Sequence, residues 1–146
     1  MSTLTQLNTL DSGIPELTVP SSSLNDASLT VLDLTRFKRL KKLVIGDECF
    51  MYVNEVKMIG LKALESVEIG INSFTQHKNS RGDDPNRHFY LKNCPKLKSL
   101  KMGRYSFSDY TVIEIENVNA LESIVIDDLS FYYASLELKS VLIHRE

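Results

Sequence analysis

The chain has no tryptophan, and only two cysteines, four prolines and six glycines among its 146 residues. Cys49 and Cys94 are too few to build a disulfide framework, and they identify no redox compartment. No segment is apolar over the roughly 20 residues that a membrane-spanning helix needs. The first residues, MSTLTQLNTLDSG, lack both the basic start and the apolar stretch of a secretory leader. Neither sign of charge dominates: 17 Lys and Arg stand against 19 Asp and Glu, a net charge of -2, so no global field draws in nucleic acid or an anionic membrane. Together these absences predict a cytoplasmic chain with neither nucleic acid nor membrane as its partner. At 42% hydrophobic and 25% charged residues, this length predicts one domain with a real core.

What the chain has is a recurring line. Leu40-x-x-Leu43-x-Ile45-x4-Phe50 returns as Leu64-x-x-Val67-x-Ile69-x4-Phe74 and as Leu97-x-x-Leu100-x-Met102-x4-Phe107. Leu121-x-x-Ile124-x-Ile126 and Leu138-x-x-Val141-x-Ile143 follow, and Ile14-x-x-Leu17-x-Val19-x4-Leu24 precedes them. From Leu43 to Val67, and again from Leu100 to Ile124, the spacing is 24 residues; one insertion of nine precedes Leu100, and the last copy falls seven short. The apolar positions follow the leucine-rich-repeat pattern, but only Asn72 occupies the asparagine position, beside Glu48, Tyr105 and Leu129.

Each unit has a second alternation upstream, at Leu32 and Leu34, Val56 and Met58, Phe89 and Leu91, and Ile113 and Ile115. Period-two alternation is a strand signal. The expected fold is therefore mainly β: a leucine-rich-repeat solenoid of about five 24-residue coils, with a short strand on each face and little helix. Lys41, Glu65, Lys98, Glu122 and Lys139, each just after the first leucine of its unit, alternate in sign without a break. Stacking places them at strand spacing, about 5 Å, where unlike charges attract. Gly46, Gly70 and Gly103 after the strand suit a turn that needs positive φ.

The blocks FYLKNCPKLKSLKMGRYSFSDY and EIENVNALESIVI resemble the variable, highly multiplied leucine-rich-repeat proteins of single-celled eukaryotes, from about Leu29 onward. The resemblance implies a solenoid used for binding and carries over no catalytic residue. The chain is also distantly similar to surface-type leucine-rich repeats but lacks their Ile-Pro and Ala-Phe signature.

Residues 1–28 are expected to form a polar N-terminal cap with a degenerate first repeat, and residues 29–146 the solenoid, with an inserted loop at 76–88. Deleting nine residues of that loop restores the 24-residue period. In the short last unit, Phe131-Tyr132-Tyr133 is the preferred outer strand, with Leu136 in the place of Cys94 and Lys139 still in the charge ladder. The final strand, Val141 to Ile143, is guarded only by His144, Arg145 and Glu146. Its edge predicts either weak end-to-end association or further repeats beyond it.

Candidate chemistry is sparse. His77, Asp83, Asp84 and His88 are metal-ligand types, and Arg81-Gly82-Asp83 spells an adhesion tripeptide, but all lie in the polar insertion, whose plainer reading is a solvated loop. Ser66, Ser99, Ser123 and Ser140 form a column without a neighbouring base, save His144 at the terminal edge. Lys38, Arg39, Lys62 and Lys96 form a modestly basic edge without stacking aromatics, a solvated edge rather than a nucleic-acid site. No catalytic residue, metal or cofactor is expected. The predicted function is protein binding through the outward positions of the inner sheet: Lys42, Val44, Asp47, Ser66, Glu68, Ile71, Ser99, Lys101, Arg104, Ser123, Val125 and Asp128. The alternative is a structural or self-associating segment, or a truncated repeat fragment without independent function.

Overall fold

In the computed structural model, which describes residues 2–76 and 87–126 in full and residues 135–139 as backbone, the chain passes back and forth between two parallel sheets. The first sheet orders β1 (Glu16–Val19), β3 (Lys42–Ile45), β5 (Ser66–Ile69), β7 (Ser99–Met102) and β9 (Ser123–Ile126). The second orders β2 (Val31–Asp33), β4 (Glu55–Ile59), β6 (His88–Lys92), β8 (Val112–Glu116) and β10 (Ser135–Lys139). Each strand pairs with the one a unit away, so odd strands build one sheet and even strands the other.

The alternation decides which side chains meet. Leu43, Ile45, Val67, Ile69, Leu100 and Met102 point inward from the first sheet, and Val56, Met58, Phe89, Leu91, Ile113 and Ile115 from the second, all essentially inaccessible. The first leucine of each motif, at Leu40, Leu64, Leu97 and Leu121, closes one corner at 0% exposure. Phe50, Phe74 and Phe107 close another corner as a stack, with centroids 5.0 and 4.5 Å apart and planes within 14° and 8°. The single helix among the described residues, α1 (Leu4–Asn8), starts with a capping box between Thr3 and Gln6. It plugs Leu7 against the core, and the Arg36 guanidinium donates to the Leu7 and Leu10 carbonyls at 2.8 Å.

The charge ladder follows the stacking register over its first four members. Glu65 N–H donates to Lys41, Lys98 N–H to Glu65, and Glu122 N–H to Lys98, each at 2.8 Å. Their side chains are exposed. Glu65→Lys sets three like charges in a row and is expected to lower stability by about 0.2 to 1 kcal/mol. Adding Lys98→Glu should recover part of that loss in a denaturant double-mutant cycle. Strict additivity would show that the ladder side chains do not interact.

Two expectations need correction. Lys139 is not the fifth rung: β10 belongs to the second sheet, where Leu136 faces Ile113, Leu138 faces Ile115 and Lys139 faces Glu116. Ser135 follows its partner Val112 by 23 residues, so in this sheet the deficit of seven shrinks to one, while the expected strand Phe131-Tyr132-Tyr133 lies outside the described residues. The match of Leu138 to the first leucine of the motif is fortuitous, because the alternation of Leu136 with Leu138 is itself an outer-strand signal. Phe131, Val141, Ile143 and the terminal edge lie outside the described residues.

The glycine column serves close approach rather than positive φ. A Cβ at Gly103 would lie 2.6 Å from the Gly70 carbonyl carbon and 2.7 Å from Ile71 N, and one at Gly70 would lie 2.6 Å from the Gly46 carbonyl carbon. Positive φ falls instead on larger residues, two in each turn of this series: Ser22 and Leu24, Glu48 and Phe50, Asn72 and Phe74, Tyr105 and Phe107, all between 56° and 61°. After the second-sheet strands Gly60, Asn93 and Asn117 take the same conformation, at 69°, 57° and 56°. Glycine and asparagine reach that region most easily.

Candidate functional site

Strand register sorts the exposed side of the first sheet into rows. Lys42, Ser66, Ser99 and Ser123 are successive Cα partners, and so are Val44, Glu68, Lys101 and Val125. In the turns beyond them Asp47, Ile71 and Arg104 each follow a glycine of the column. Eight of the twelve residues expected at an interaction surface thus share one side of one sheet, Asp47, Ile71 and Arg104 stand in the turns that follow it, and Asp128 lies outside the described residues. Ile71 and Val125 are 46% and 44% exposed, while Val44 is half-buried. The Asp47 carboxylate has a structural task, since Oδ1 accepts from Ile71 N–H at 2.8 Å. The Arg104 guanidinium lies 5.1 Å from the Tyr105 ring centroid.

Charge is handled differently on the two sheets. On the second, Lys57 pairs with Glu55 at 3.2 Å, and Lys92 approaches Glu114 and Glu116 at 3.6 and 3.7 Å. His88 Nδ1 and Tyr90 Oη are hydrogen-bonded at 2.9 Å. Burial, then the charges of Glu114 and Glu55, hold the Tyr90 phenol above its usual pKa. On the first sheet Glu68 and Lys101 are cross-strand partners, yet among the described residues neither they nor Lys42 and Arg104 close an ion pair.

The other candidates scatter. His77, Arg81, Gly82, Asp83 and Asp84 lie outside the described residues, and His88 stands on the second sheet. Among the described residues no three His, Cys, Asp or Glu side chains are grouped to hold a metal. Both cysteines are buried and free. Desolvation raises each thiol pKa, and Cys49 Sγ lies 3.2 Å from the Pro20 carbonyl, an inert setting. Cys49 occupies the seat of Ser73 and Ser106, whose hydroxyls donate to the Gly46 and Gly103 carbonyls. Lys38, Arg39, Lys62 and Lys96 are exposed, and beside Lys62 the Asn117 amide donates to Asn93 Oδ1 at 2.9 Å. No helix among the described residues is long and apolar enough to cross a membrane.

One cluster had no sequence expectation. Arg87, 3% exposed, donates to the Val53 and Met51 carbonyls at 3.1 and 3.2 Å, and its Nε lies 3.6 Å from Asp109 Oδ2. Tyr110 Oη donates to the Val53 carbonyl at 2.6 Å, and Gln76 N–H reaches Asp109 Oδ2 at 3.3 Å. Gln76 and Arg87, at the two ends of the insertion, thus meet on one carboxylate. A deletion that restores the 24-residue period must spare both, together with His88 in β6. The only advance signal is that Asp109 stands where preceding units have Tyr52 and Gln76.

No family model, curated protein or solved structure matches the chain.

Proposed function

We propose that the chain is a leucine-rich-repeat solenoid working as a cytoplasmic protein-interaction module, with the exposed side of the first sheet as its binding surface and neither catalysis nor a cofactor involved. The observation that carries this reading is the contrast between the sheets. On the second, Lys57 pairs with Glu55 and Lys92 with Glu114 and Glu116, whereas among the described residues the first presents Glu68, Lys101 and Arg104 without ion pairs, beside the exposed Ile71 and Val125. Unlike charges interleaved with apolar side chains favour one partner over others more than they favour raw affinity.

The test is affinity capture with four forms of the chain: unaltered, Lys101→Glu, Val125→Asp, and the second-sheet control Lys57→Glu. A protein retained by the unaltered chain and the control, but reduced at least about tenfold by either first-sheet substitution, is the expected result. Equal retention by all four would overturn the assignment of the surface.

A further inference from the structure

Beyond Thr18 on β1, the middle row of the first sheet runs across β3, β5, β7 and β9 as Val44, Glu68, Lys101, Val125. In chemical terms it reads apolar, acid, base, apolar, and in reverse apolar, base, acid, apolar. Laid against its own reversed copy, such a row meets opposite charge at every charged position and apolar surface at both ends. A two-fold axis reverses a row in this way, because a two-fold interface uses the same patch on both subunits. We infer that the ligand of this surface is a second copy of the chain, docked face to face about a two-fold axis that runs parallel to the strands between β5 and β7.

The row at the start of the strands admits the same axis. Ser66 comes to lie opposite Ser99, and Lys42 opposite Ser123, so no like charges meet and small side chains line the approach. Toward the turns the exposed Ile71 comes opposite Arg104, whose aliphatic stem is suited to cover it. Asp47 is already engaged by the Ile71 amide. Glu68 and Lys101, cross-strand neighbours without an ion pair in one chain, then complete an alternating quartet of two carboxylates and two ammonium groups.

Four strands at about 4.8 Å spacing make a patch only about 14 Å deep. That is small beside the roughly 800 Å² per partner of a stable complex, so the dimer is weak and appears with concentration. The inference rests on the reading of this face as the interaction surface. It is tested by sedimentation equilibrium of the full chain from about 10 μM to 1 mM at low salt, a range that spans weak association.

The unaltered chain is expected to dimerise reversibly. E68K sets cation against cation and K101E sets acid against acid, so each should weaken association at least about tenfold. An equimolar mixture of the two variants should associate more tightly than either alone, the double variant should regain dimerisation, and K57E on the other sheet should change nothing. Circular dichroism and denaturant midpoints confirm that each variant is folded. A monomer throughout the range, a dimer indifferent to both charge reversals, or no gain on mixing would each overturn the inference. If the chain stays monomeric while capture of another protein still responds to Lys101→Glu, the second copy is ruled out and the interaction face stands.

Discussion

Phe74→Ala is expected to destabilise the protein by about 3 to 5 kcal/mol in denaturant unfolding, a large share of the 5 to 15 kcal/mol typical of a domain. Phe74 is fully buried in the middle of the three-ring stack, with Phe50 on one side and Phe107 on the other. Truncation removes both ring contacts and leaves a hole that neither neighbour can fill without abandoning its own place. The backbone supplies a second arm to the experiment. Phe74 holds φ of 59°, where a Cβ is disfavoured by roughly 1 to 2 kcal/mol. Phe74→Gly removes that strain along with the ring, so it should be no worse than Phe74→Ala, although glycine is ordinarily the more damaging core replacement. A clearly less stable glycine variant would mean that the turn does not hold this conformation in solution.

Asp109→Ala is expected to cost a similar amount, about 3 to 5 kcal/mol, for an electrostatic reason. It removes the carboxylate 3.6 Å from the buried Arg87 guanidinium, and removing one partner of a buried pair exacts the desolvation of the other. The substitution also removes the acceptor of Gln76 N–H, loosening both ends of the insertion at once. Replacing Arg87 and Asp109 together, by Met and Ala, should cost less than the sum of the two single changes. Chemical denaturation of the four proteins of the cycle gives the coupling. Additive effects would mean that Arg87 and Asp109 do not act as a pair. Among the described residues Asp109 Oδ1 has no hydrogen-bond partner, which makes this the most precarious polar group of the described interior.

The strands were readable from sequence because burial leaves a record at period two. Leu43 and Ile45 or Phe89 and Leu91 cannot both be inward in any other register, and Lys41, Glu65, Lys98 and Glu122 confirm it at positions that need not be apolar. The glycine column was found in the right place for the wrong cause. A sequence shows that a Cβ is absent but not whether torsion or a neighbouring backbone forbids it. The last unit was misaligned because Leu138, Val141 and Ile143 reproduce the spacing of the motif, while Leu136 and Leu138 reproduce that of the other strand. Only pairing with β8 decides between them. Which side of the first sheet is exposed followed from alternation alone. The meeting of Arg87 with Asp109 crosses a corner between residues 22 positions apart and leaves no periodic trace.

Strand partners in both sheets are separated by short lengths of chain, from 23 residues between Val112 and Ser135 to 33 between Ser66 and Ser99. Loop closure grows only with the logarithm of length, so the insertion adds about 0.3 kcal/mol to the pairing it spans. No strand has to wait for a distant part of the chain. A segment leaving the ribosome can dock on the strand made one unit before it, so order can advance from the N-terminal side as the chain is made. Synthesis and folding can therefore run at the same pace. Shortening the chain from its C-terminal side should remove stability in instalments rather than all at once.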